Sequence, residues 1–405
     1  MFAAMPTYKR NSNGISNVYC LLNMTWSAAL MVLGLFACNK SYEPLNEDAF
    51  AKIADTVLAD LEDRDLFSGV VAVSLRGNIV YMGAAGYADR RSNALNAVET
   101  VYPLLSITKS FTASAILLLA EDGLVSLSDP VSTFYPGAPA SWSDITIGHL
   151  LSHRAGIQDC DCTGSEYALK AQKFDTYMDY VDLAAKEPLA FLPGEGFRYS
   201  NAGYGLLTLV VEQASEMSYC SFIRQNIASV LTMNGLGCGL ITDNEIQGYV
   251  NDPTVDAPAR RWTEGKNTPL EVLGGFGRLQ STAYELALWP HFLATGNLLT
   301  TPSIKDMFTD HGGAYGFGWR FAEKDDRGLI WHSGNDPSAG FASIVEYYPE
   351  YDLAIAVLSN DTRTIGETAT LRIGDSDRTF PANGARKVIN EISRAFFLNH
   401  NGSIR

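Results

Sequence analysis

A serine and a lysine stand three residues apart in the stretch LLSITKS, at positions Ser106 and Lys109. A serine hydroxyl is a weak nucleophile, so it needs a base within hydrogen-bonding distance. Residues three apart share one face of a helix, and a lysine removed from water has a lowered pKa, so Lys109 can be that base. Taken alone, the pair equally fits an N-cap serine and a lysine that reaches to solvent.

A tyrosine and an asparagine form a second candidate group, Tyr199 and Asn201 in the segment PGEGFRYSNAGYG. The segment is typical of a loop that enters a helix. A tyrosine can act as a general base when a nearby cation lowers its pKa, and Lys109 would supply that cation. The amide of Asn201 can orient a substrate carbonyl or hold the lysine. Without such partners, Tyr199 would be interpreted as a loop tyrosine packed against the core.

The third group is the triplet His332-Ser333-Gly334, which closes the strand-like run LIWH. A glycine at this position would let a substrate approach the backbone closely. The backbone N–H of the next residue, Asn335, can join that of Ser106 in an oxyanion hole. By itself, His332 also fits a histidine at a strand end with purely structural hydrogen bonds.

Hydrophobic periodicity predicts the elements that must position these groups. The segment ITKSFTASAILLLAEDG is apolar on most faces, which is typical of a buried helix, and it ends at Asp122-Gly123. Ser106 therefore lies at the N-terminal end of a central helix, where free N–H groups and the helix dipole favour negative charge. Upstream, two strand-like runs flank Gly77-Asn78, a hairpin turn signal.

Strand-like and helical segments are distributed unevenly along the chain. An amphipathic helix precedes the hairpin, with Ala54, Val57, Leu58 and Leu61 at helical spacing. Residues from about 125 to 290 are mostly helical, and β-rich runs return late as LIWH, ASIVEYYP and DLAIAVLSN, before a final helix. We therefore predict an α/β (α+β) fold: a mainly antiparallel sheet built from N- and C-terminal strands, flanked by helices, with an inserted and mostly helical subdomain.

The composition limits the class of partner. The chain has 405 residues, of which 46% are hydrophobic, and its formal net charge is −15. Such a balance is typical of a soluble globular domain with a large core. The acidic surface and the absence of a basic run argue against nucleic acid and anionic membrane surfaces as partners.

The N-terminal segment has the features of an export signal. Lys9 and Arg10 precede the uncharged stretch WSAALMVLGLFAC, which is short for a bilayer span. This stretch resembles a bacterial lipoprotein signal, in which Cys38 becomes the lipidated first residue. We predict a signal peptide over residues 1–37 and a tether over 38–45, with anchoring to the bacterial cell envelope on its periplasmic or outer-membrane face. A plain cleaved signal and an uncleaved anchor are the alternatives.

The cysteines are candidates for disulfides, and two of the histidines are candidates for metal ligands. Beyond the leader, the chain has four cysteines: Cys160, Cys162, Cys220 and Cys238. In an oxidising compartment these can pair, but the sequence leaves open whether each is paired or free. His149 and His153 are four residues apart, yet no acidic third ligand stands at a suggestive spacing. We predict no metal and no other cofactor.

Together, the three groups and their flanks resemble a known family. The order SITK at 106–109, YSN at 199–201 and an H-x-G triplet at 332–334 resembles the class C β-lactamase and D-alanyl-D-alanine carboxypeptidase superfamily of serine hydrolases. Flanks such as ITIGHLLSHRAGI, FLPGEGFRYSNAGYGLL and YGFGW match as well. The resemblance implies a β-lactamase/transpeptidase-like fold and one β-lactamase-related hydrolase domain over residues 46–405.

The resemblance also implies a role for each group. The implied site residues are Ser106, Lys109 and Tyr199 for catalysis and Asn201, His332, Ser333, Gly334 and Asn335 for substrate binding. Ser106 would be the acylated nucleophile, and Lys109 and Tyr199 would share the proton transfer, with the identity of the base left open. Asn201 would orient the substrate and the lysine, and His332 would bind substrate and tune the tyrosine. Water would then hydrolyse the acyl-enzyme.

One motif departs from the class C β-lactamases, which have Lys-Thr-Gly where this chain has His332-Ser333-Gly334. A histidine is mostly neutral at pH 7, so it anchors a substrate carboxylate less well than a lysine, and efficient β-lactam turnover is not expected. We expect an exported serine hydrolase acting on a small peptide, amide or ester. A carboxylesterase of the same fold and a non-catalytic cell-wall-peptide-binding protein are the alternatives. The sequence does not predict the oligomeric state.

Overall fold

The computed structural model describes residues 45–159, 174–238, 246–251, 262–264, 270–373 and 376–400. The predicted signal peptide with Cys38 lies outside the described residues, and so do Cys160 and Cys162. Within these ranges, no helix combines the length and the apolarity that a bilayer span requires.

The described helices occur mainly in the middle of the chain. They are α1 (Glu47–Asp63), α2 (Thr108–Glu121), α3 (Ile147–Leu151), α4 (Tyr177–Ala184), α5 (Asn201–Ser215), α6 (Tyr219–Ile223), α7 (Ser229–Leu231), α8 (Ala283–Ala294), α9 (Thr301–Met307) and α10 (Gly384–His400). Two short 3₁₀ segments bear on the site described below, Leu105–Ile107 and Leu270–Phe276.

The longer strands occur toward both ends of the chain, and short strands of two or three residues lie between them. They are β1 (Gly69–Leu75), β2 (Asn78–Ala85), β3 (Tyr87–Asp89), β4 (Ala94–Leu95), β5 (Tyr102–Pro103), β6 (Tyr249–Asn251), β7 (Trp262–Glu264), β8 (Gln280–Ser281), β9 (Arg320–Lys324), β10 (Arg327–Asp336), β11 (Phe341–Tyr348), β12 (Leu353–Ser359), β13 (Thr364–Ile373) and β14 (Ser376–Asn383). Eight of them form one antiparallel sheet in the order β14-β13-β9-β10-β11-β12-β1-β2. The predicted sheet, which unites N- and C-terminal strands around a mostly helical middle, is confirmed.

Both faces of the sheet are covered, so its central strands are largely apolar. In β1, Val70 and Ala72 point into one hydrophobic core, and Val71 and Val73 point into the other. The first core contains the buried faces of α2, α5 and α8, and the second contains those of α1 and α10. Because successive side chains in a strand point to opposite faces, a sheet between two helical layers needs apolar residues at most positions.

Helix α2 runs through the first core, as its all-round apolar pattern predicts. It ends where the sequence indicates, with Gly123 in the left-handed region at φ +72° directly after the cap. Its polar side chains find partners inside the core, since the Ser110 hydroxyl accepts a hydrogen bond from Trp289 Nε1 at 2.9 Å. The Trp289 ring also stacks on Phe111 at 4.1 Å between ring centroids. The helix that carries Lys109 is therefore fixed by packing and by hydrogen bonds within the core.

The hairpin that begins the sheet lies one residue earlier than predicted. Its two turn residues are Arg76 and Gly77, at φ +53° and +74°, and Asn78 already belongs to β2. A two-residue hairpin turn of type I′ needs positive φ at both positions. The turn therefore places the non-glycine Arg76 in the left-handed region, which propensity alone does not predict.

One pair of cysteines is joined. Cys220 in α6 forms a disulfide with Cys238, which follows α7 in the chain. The two cysteines are 18 positions apart in the sequence. The prediction left the pairing open, and the structure assigns it for these two residues.

Candidate active site

Ser106 lies in a strained turn that leads directly into α2. The residue before it, Leu105, has φ +51°, which is uncommon for a residue with a branched side chain. The 3₁₀ turn over Leu105–Ile107 leaves Ser106 partly exposed at the start of an otherwise buried helix. Strain of this kind persists only where the surrounding structure holds the segment in place.

Strand β10 is what holds that turn. A Cβ atom at Gly334 would lie 2.5 Å from the carbonyl oxygen of Leu104 and 2.5 Å from Leu105 Cβ, so a larger residue does not fit. The Ser343 hydroxyl on the neighbouring strand donates to the same Leu104 carbonyl at 2.7 Å. The sequence predicts that Gly334 leaves space for a substrate to approach the backbone. In the structure, the absence of a side chain at Gly334 leaves space for the turn that carries Ser106.

Lys109 is completely buried one turn after Ser106, and its amine has three close oxygen neighbours. Lys109 Nζ lies 2.8 Å from Asn201 Oδ1, 3.0 Å from the Phe276 carbonyl oxygen and 3.2 Å from Ser106 Oγ. The amide and carbonyl oxygens can only accept hydrogen bonds. A neutral amine has two N–H groups for these two acceptors and keeps its lone pair for the Ser106 hydroxyl.

The electrostatic environment favours that neutral amine. Burial lowers the pKa of Lys109 well below its ordinary value, the carboxylate of Asp159 opposes this shift, and the guanidinium of Arg320 adds to it. Desolvation disfavours the charged form of a buried lysine by several pKa units where pairing is incomplete. The structure thus brings the serine together with a lysine that is suited to accept its proton.

Tyr199 completes the centre in its protonated form. The Ser106 side chain interacts with the Tyr199 hydroxyl, and Lys109 Nζ lies 4.7 Å from the centroid of the Tyr199 ring. Burial raises the pKa of Tyr199 to about 12, although Arg320 and Ser106 lower it. The lowering expected from a neighbouring lysine cation does not prevail, because burial also favours the neutral amine at Lys109.

His332 is buried next to this centre and is oriented by two hydrogen bonds. Its Nδ1 lies 2.9 Å from the Ser333 carbonyl oxygen, so Nδ1 carries the proton and donates. Its Nε2 then accepts from the Tyr315 hydroxyl at 3.1 Å. Burial lowers the pKa of His332 well below its ordinary value, and Arg320 and Lys109 lower it further. The histidine is therefore neutral near pH 7, as the sequence predicts.

The remaining predicted residues follow His332 along β10. Strand β9 pairs with β10 only as far as Trp331, so the segment from His332 to Asn335 extends past the end of β9. Asn335 is exposed and pairs with Ala342 of β11. Its backbone N–H as a member of an oxyanion hole stays a prediction. The predicted groups around Ser106, Lys109, Tyr199 and Asn201 do converge on one place.

Three groups at this site were not found from the sequence. They are the Phe276 carbonyl, which accepts from Lys109, the carboxylate of Asp159 and the guanidinium of Arg320. A backbone carbonyl carries no residue signature. Asp159 stands two positions after the matched flank ITIGHLLSHRAGI, and Arg320 follows the matched YGFGW directly, so extension of either flank would have reached them.

The two spaced histidines form hydrogen bonds to the backbone. His149 Nδ1 accepts from the Thr146 N–H at 3.3 Å, and His153 Nδ1 accepts from the Ser200 N–H at 3.1 Å. Across the part of the chain that the structure describes, no three His, Cys, Asp or Glu side chains come close enough together to hold a metal ion.

The chain is similar to known proteins over most of its length. The family model described as Beta-lactamase matches residues 53–377. Penicillin-binding protein 4* of Bacillus subtilis (strain 168) is 30% identical over 329 residues, which is 76% of this chain and 71% of that protein.

Solved structures with the same fold include two further relatives. A penicillin-binding protein from Bacillus halodurans has a TM-score of 0.70 at 23% identity, over 85% of this chain and 100% of that chain. The D-amino acid amidase from Ochrobactrum anthropi SV3, complexed with L-phenylalanine amide, has a TM-score of 0.70 at 22% identity, over 88% of this chain and 99% of that chain. Since the family model spans most of the chain and the motif residues converge on one buried lysine, the protein belongs to the Beta-lactamase family, as a serine hydrolase of the class C β-lactamase and penicillin-binding-protein-like superfamily.

Proposed function

We propose that the protein is an exported serine hydrolase that cleaves an amide bond in a D-amino-acid peptide or a similar amide whose leaving group carries a carboxylate. The observation that carries the proposal is the buried Lys109 amine. Its two acceptors, Asn201 Oδ1 and the Phe276 carbonyl, leave a lone pair for the Ser106 hydroxyl 3.2 Å away. A nucleophile with a base in hydrogen-bonding distance is the requirement for acyl transfer.

The protons balance over two half-reactions. Ser106 Oγ attacks the amide carbon, and its proton passes to Lys109. The leaving nitrogen takes a proton from the Tyr199 hydroxyl, which interacts with the Ser106 side chain, and Lys109 returns its proton to Tyr199. Water then attacks the ester carbon of the acyl-enzyme and gives its proton, through Lys109, to the departing Ser106 oxygen.

Arg320 supports a carboxylate on the substrate. Its Cζ lies 5.0 Å from the Tyr199 ring centroid, 5.4 Å from that of Tyr315 and 5.7 Å from that of Trp331. The side chain is partly exposed, and no ion pair joins it to an acidic side chain among the described residues. The guanidinium fork matches carboxylate geometry, so Arg320 is suited to the task that a lysine at position 332 performs in class C β-lactamases.

The relatives are consistent with amide substrates. The relative from Bacillus subtilis, which matches 76% of this chain, is named for binding penicillin, a molecule that contains an amide. The fold also serves amide hydrolysis in the D-amino acid amidase, which is an analogy at the level of the fold alone. Both support an amide more than an ester.

Export has a separate basis. The lipoprotein-like signal that ends in Cys38 would place the mature chain on the cell envelope. The Cys220–Cys238 disulfide supports this location, because disulfides persist mainly in oxidising compartments.

We expect Arg320→Gln to raise KM for an N-acyl-D-alanyl-D-alanine by about 10- to 100-fold, the loss typical of a hydrogen bond to a charged group. The same variant should change KM for the C-terminal carboxamide of that dipeptide less than about threefold, because this analogue has no charge to anchor. Steady-state kinetics with both substrates, at the pH optimum of each variant, measure the difference.

Arg327→Gln is the matched control, because the Arg327 guanidinium stacks on Phe397 of α10 at 4.0 Å, on the opposite face of the sheet. It should leave both KM values unchanged. An equal effect of Arg320→Gln on the two substrates would count against carboxylate anchoring. Hydrolysis of simple esters without hydrolysis of either amide would favour the carboxylesterase alternative.

A further inference from the structure

A carboxylate that the sequence analysis did not select lies at the N terminus of α5. Asp159 Oδ1 accepts hydrogen bonds from the Ser200 hydroxyl at 2.8 Å and from the Ala202 N–H at 3.1 Å. Asp159 Oδ2 accepts from the Asn201 N–H at 2.9 Å. The first N–H groups of a helix have no partner within the helix, so a negative charge here satisfies them and interacts favourably with the dipole.

These hydrogen bonds fix the residue that holds the lysine. Ser200 caps α5 through its hydroxyl, which accepts from the Gly203 N–H at 3.1 Å, and its own N–H is held by His153. Asn201 is thereby fixed at the first position of the helix, with its Oδ1 atom 2.8 Å from Lys109 Nζ. Asp159 is thus connected to Lys109 through one intervening residue, Asn201, whose backbone is held rigidly.

The charge of Asp159 also acts on the centre. It stabilises a positive charge on Lys109, and it disfavours ionisation of Tyr199. Arg320 has the opposite effect on both residues. The other titratable groups that face Lys109 or interact with its charge are Tyr204, His153 and His332.

We infer that Asp159 is a positioning residue for acyl transfer, which holds Asn201 against Lys109 and places one negative charge beside the buried amine. The inference rests on the proposed function, since it needs Ser106 to react through Lys109. A capping residue with only a structural role would supply the hydrogen bonds, but its charge would have no effect on the reaction.

The two roles separate in a pH profile. Asp159→Asn removes the charge, so Lys109 and Tyr199 both lose their protons at lower pH. The acid limb of the pH–rate profile should therefore move down by about one pH unit. The maximal rate should also fall by about 10-fold or more, because Asn201 is less well fixed. Asp159→Glu retains the charge on a longer side chain, so it should lower the maximal rate and leave the acid limb at its wild-type position.

The readout is the second-order rate of covalent labelling by a fluorophosphonate probe, measured by intact mass on the leaderless protein between about pH 4 and pH 9. Asp179→Asn is the matched control. Asp179 caps α4 through the backbone N–H groups of Asp175 and Thr176, and it is not among the charges that act on Lys109. This variant should retain both the wild-type limb and, within about twofold, the wild-type rate.

Three outcomes decide the inference. A limb that moves in Asp159→Asn and not in Asp159→Glu supports it. If the acid limb of the pH–rate profile lies at the same pH in Asp159→Asn and Asp159→Glu, the inference is overturned, whether or not the rate is lower. Asp159 is then a structural cap. A wild-type protein that folds but does not react with the probe overturns the proposed function, and the inference with it.

Discussion

Replacement of Ser106 by alanine is expected to abolish covalent labelling and to lower amide hydrolysis by about 10⁴-fold or more, the scale observed when a serine hydrolase loses its nucleophile. The physical reason is that Ser106 carries the hydroxyl that lies 3.2 Å from Lys109 Nζ, so its removal leaves the buried base without that nucleophile. Intact-mass spectrometry after exposure to a fluorophosphonate, and separately to penicillin, measures the adduct. Ser110→Ala, in the helix α2 that follows Ser106, should retain it.

The adducts of the wild-type protein also distinguish its chemistry. A penicillin adduct that persists indicates penicillin-binding behaviour, and one that is rapidly lost indicates a β-lactamase. A fluorophosphonate adduct without a penicillin adduct favours an esterase or a narrow peptidase. Labelling that survives in folded Ser106→Ala would refute the nucleophile assignment, and absence of any adduct on the folded wild type would favour the non-catalytic alternative.

Arg363→Met is expected to lower the free energy of unfolding by about 3 kcal/mol. Arg363 is completely buried and binds two carboxylates. Its Nε and Nη2 atoms donate to Asp361 at 2.9 and 2.6 Å, and its Nη1 and Nη2 atoms donate to Asp65 at 2.8 and 2.9 Å. The loss lies at the lower end of the range for broken buried pairs, because the Asp65 side chain is 44% exposed and can be rehydrated.

The contribution of the Arg363–Asp65 ion pair to stability also has a predictable pH dependence. Burial raises the pKa of Asp65, but hydrogen bonds and charge from Arg363 and Arg90 outweigh burial and lower the pKa overall. A carboxyl whose pKa is lowered on folding stabilises the protein above its unfolded pKa, near 3.9, and that contribution is lost as the pH falls through the folded value. Wild-type stability should therefore fall more steeply below about pH 4 than that of Arg363→Met.

Urea unfolding at neutral pH and at about pH 3 tests both expectations. Arg64→Met is the control, since Arg64 pairs with Asp60 on the surface of α1 with 52% and 57% of the two side chains exposed. Such exposed pairs contribute about 0.3–0.5 kcal/mol. If Arg363→Met and Arg64→Met lose equal stability, the Arg363 network does not contribute as argued.

Local patterns in the sequence were sufficient for the elements that carry the site. The central helix, its end at Gly123 and the apolar central strands follow from residue periodicity, because burial on all sides demands apolar residues at nearly every position. The hairpin turn was misplaced by one residue, because Arg76 adopts the left-handed conformation that the sequence would assign to glycine or asparagine.

The sequence by itself was sufficient to predict Ser106, Lys109 and Tyr199 as the reactive groups, because their order and their flanks resemble those of a known family. The tertiary structure alone decided how they are tuned. Burial, a property of the whole fold, favours a neutral Lys109 and a protonated Tyr199. The Phe276 carbonyl, Asp159 and Arg320 reach the centre from distant segments, so no local pattern records their contacts with it. Chain topology and packing brought them there, and these depend on the entire sequence.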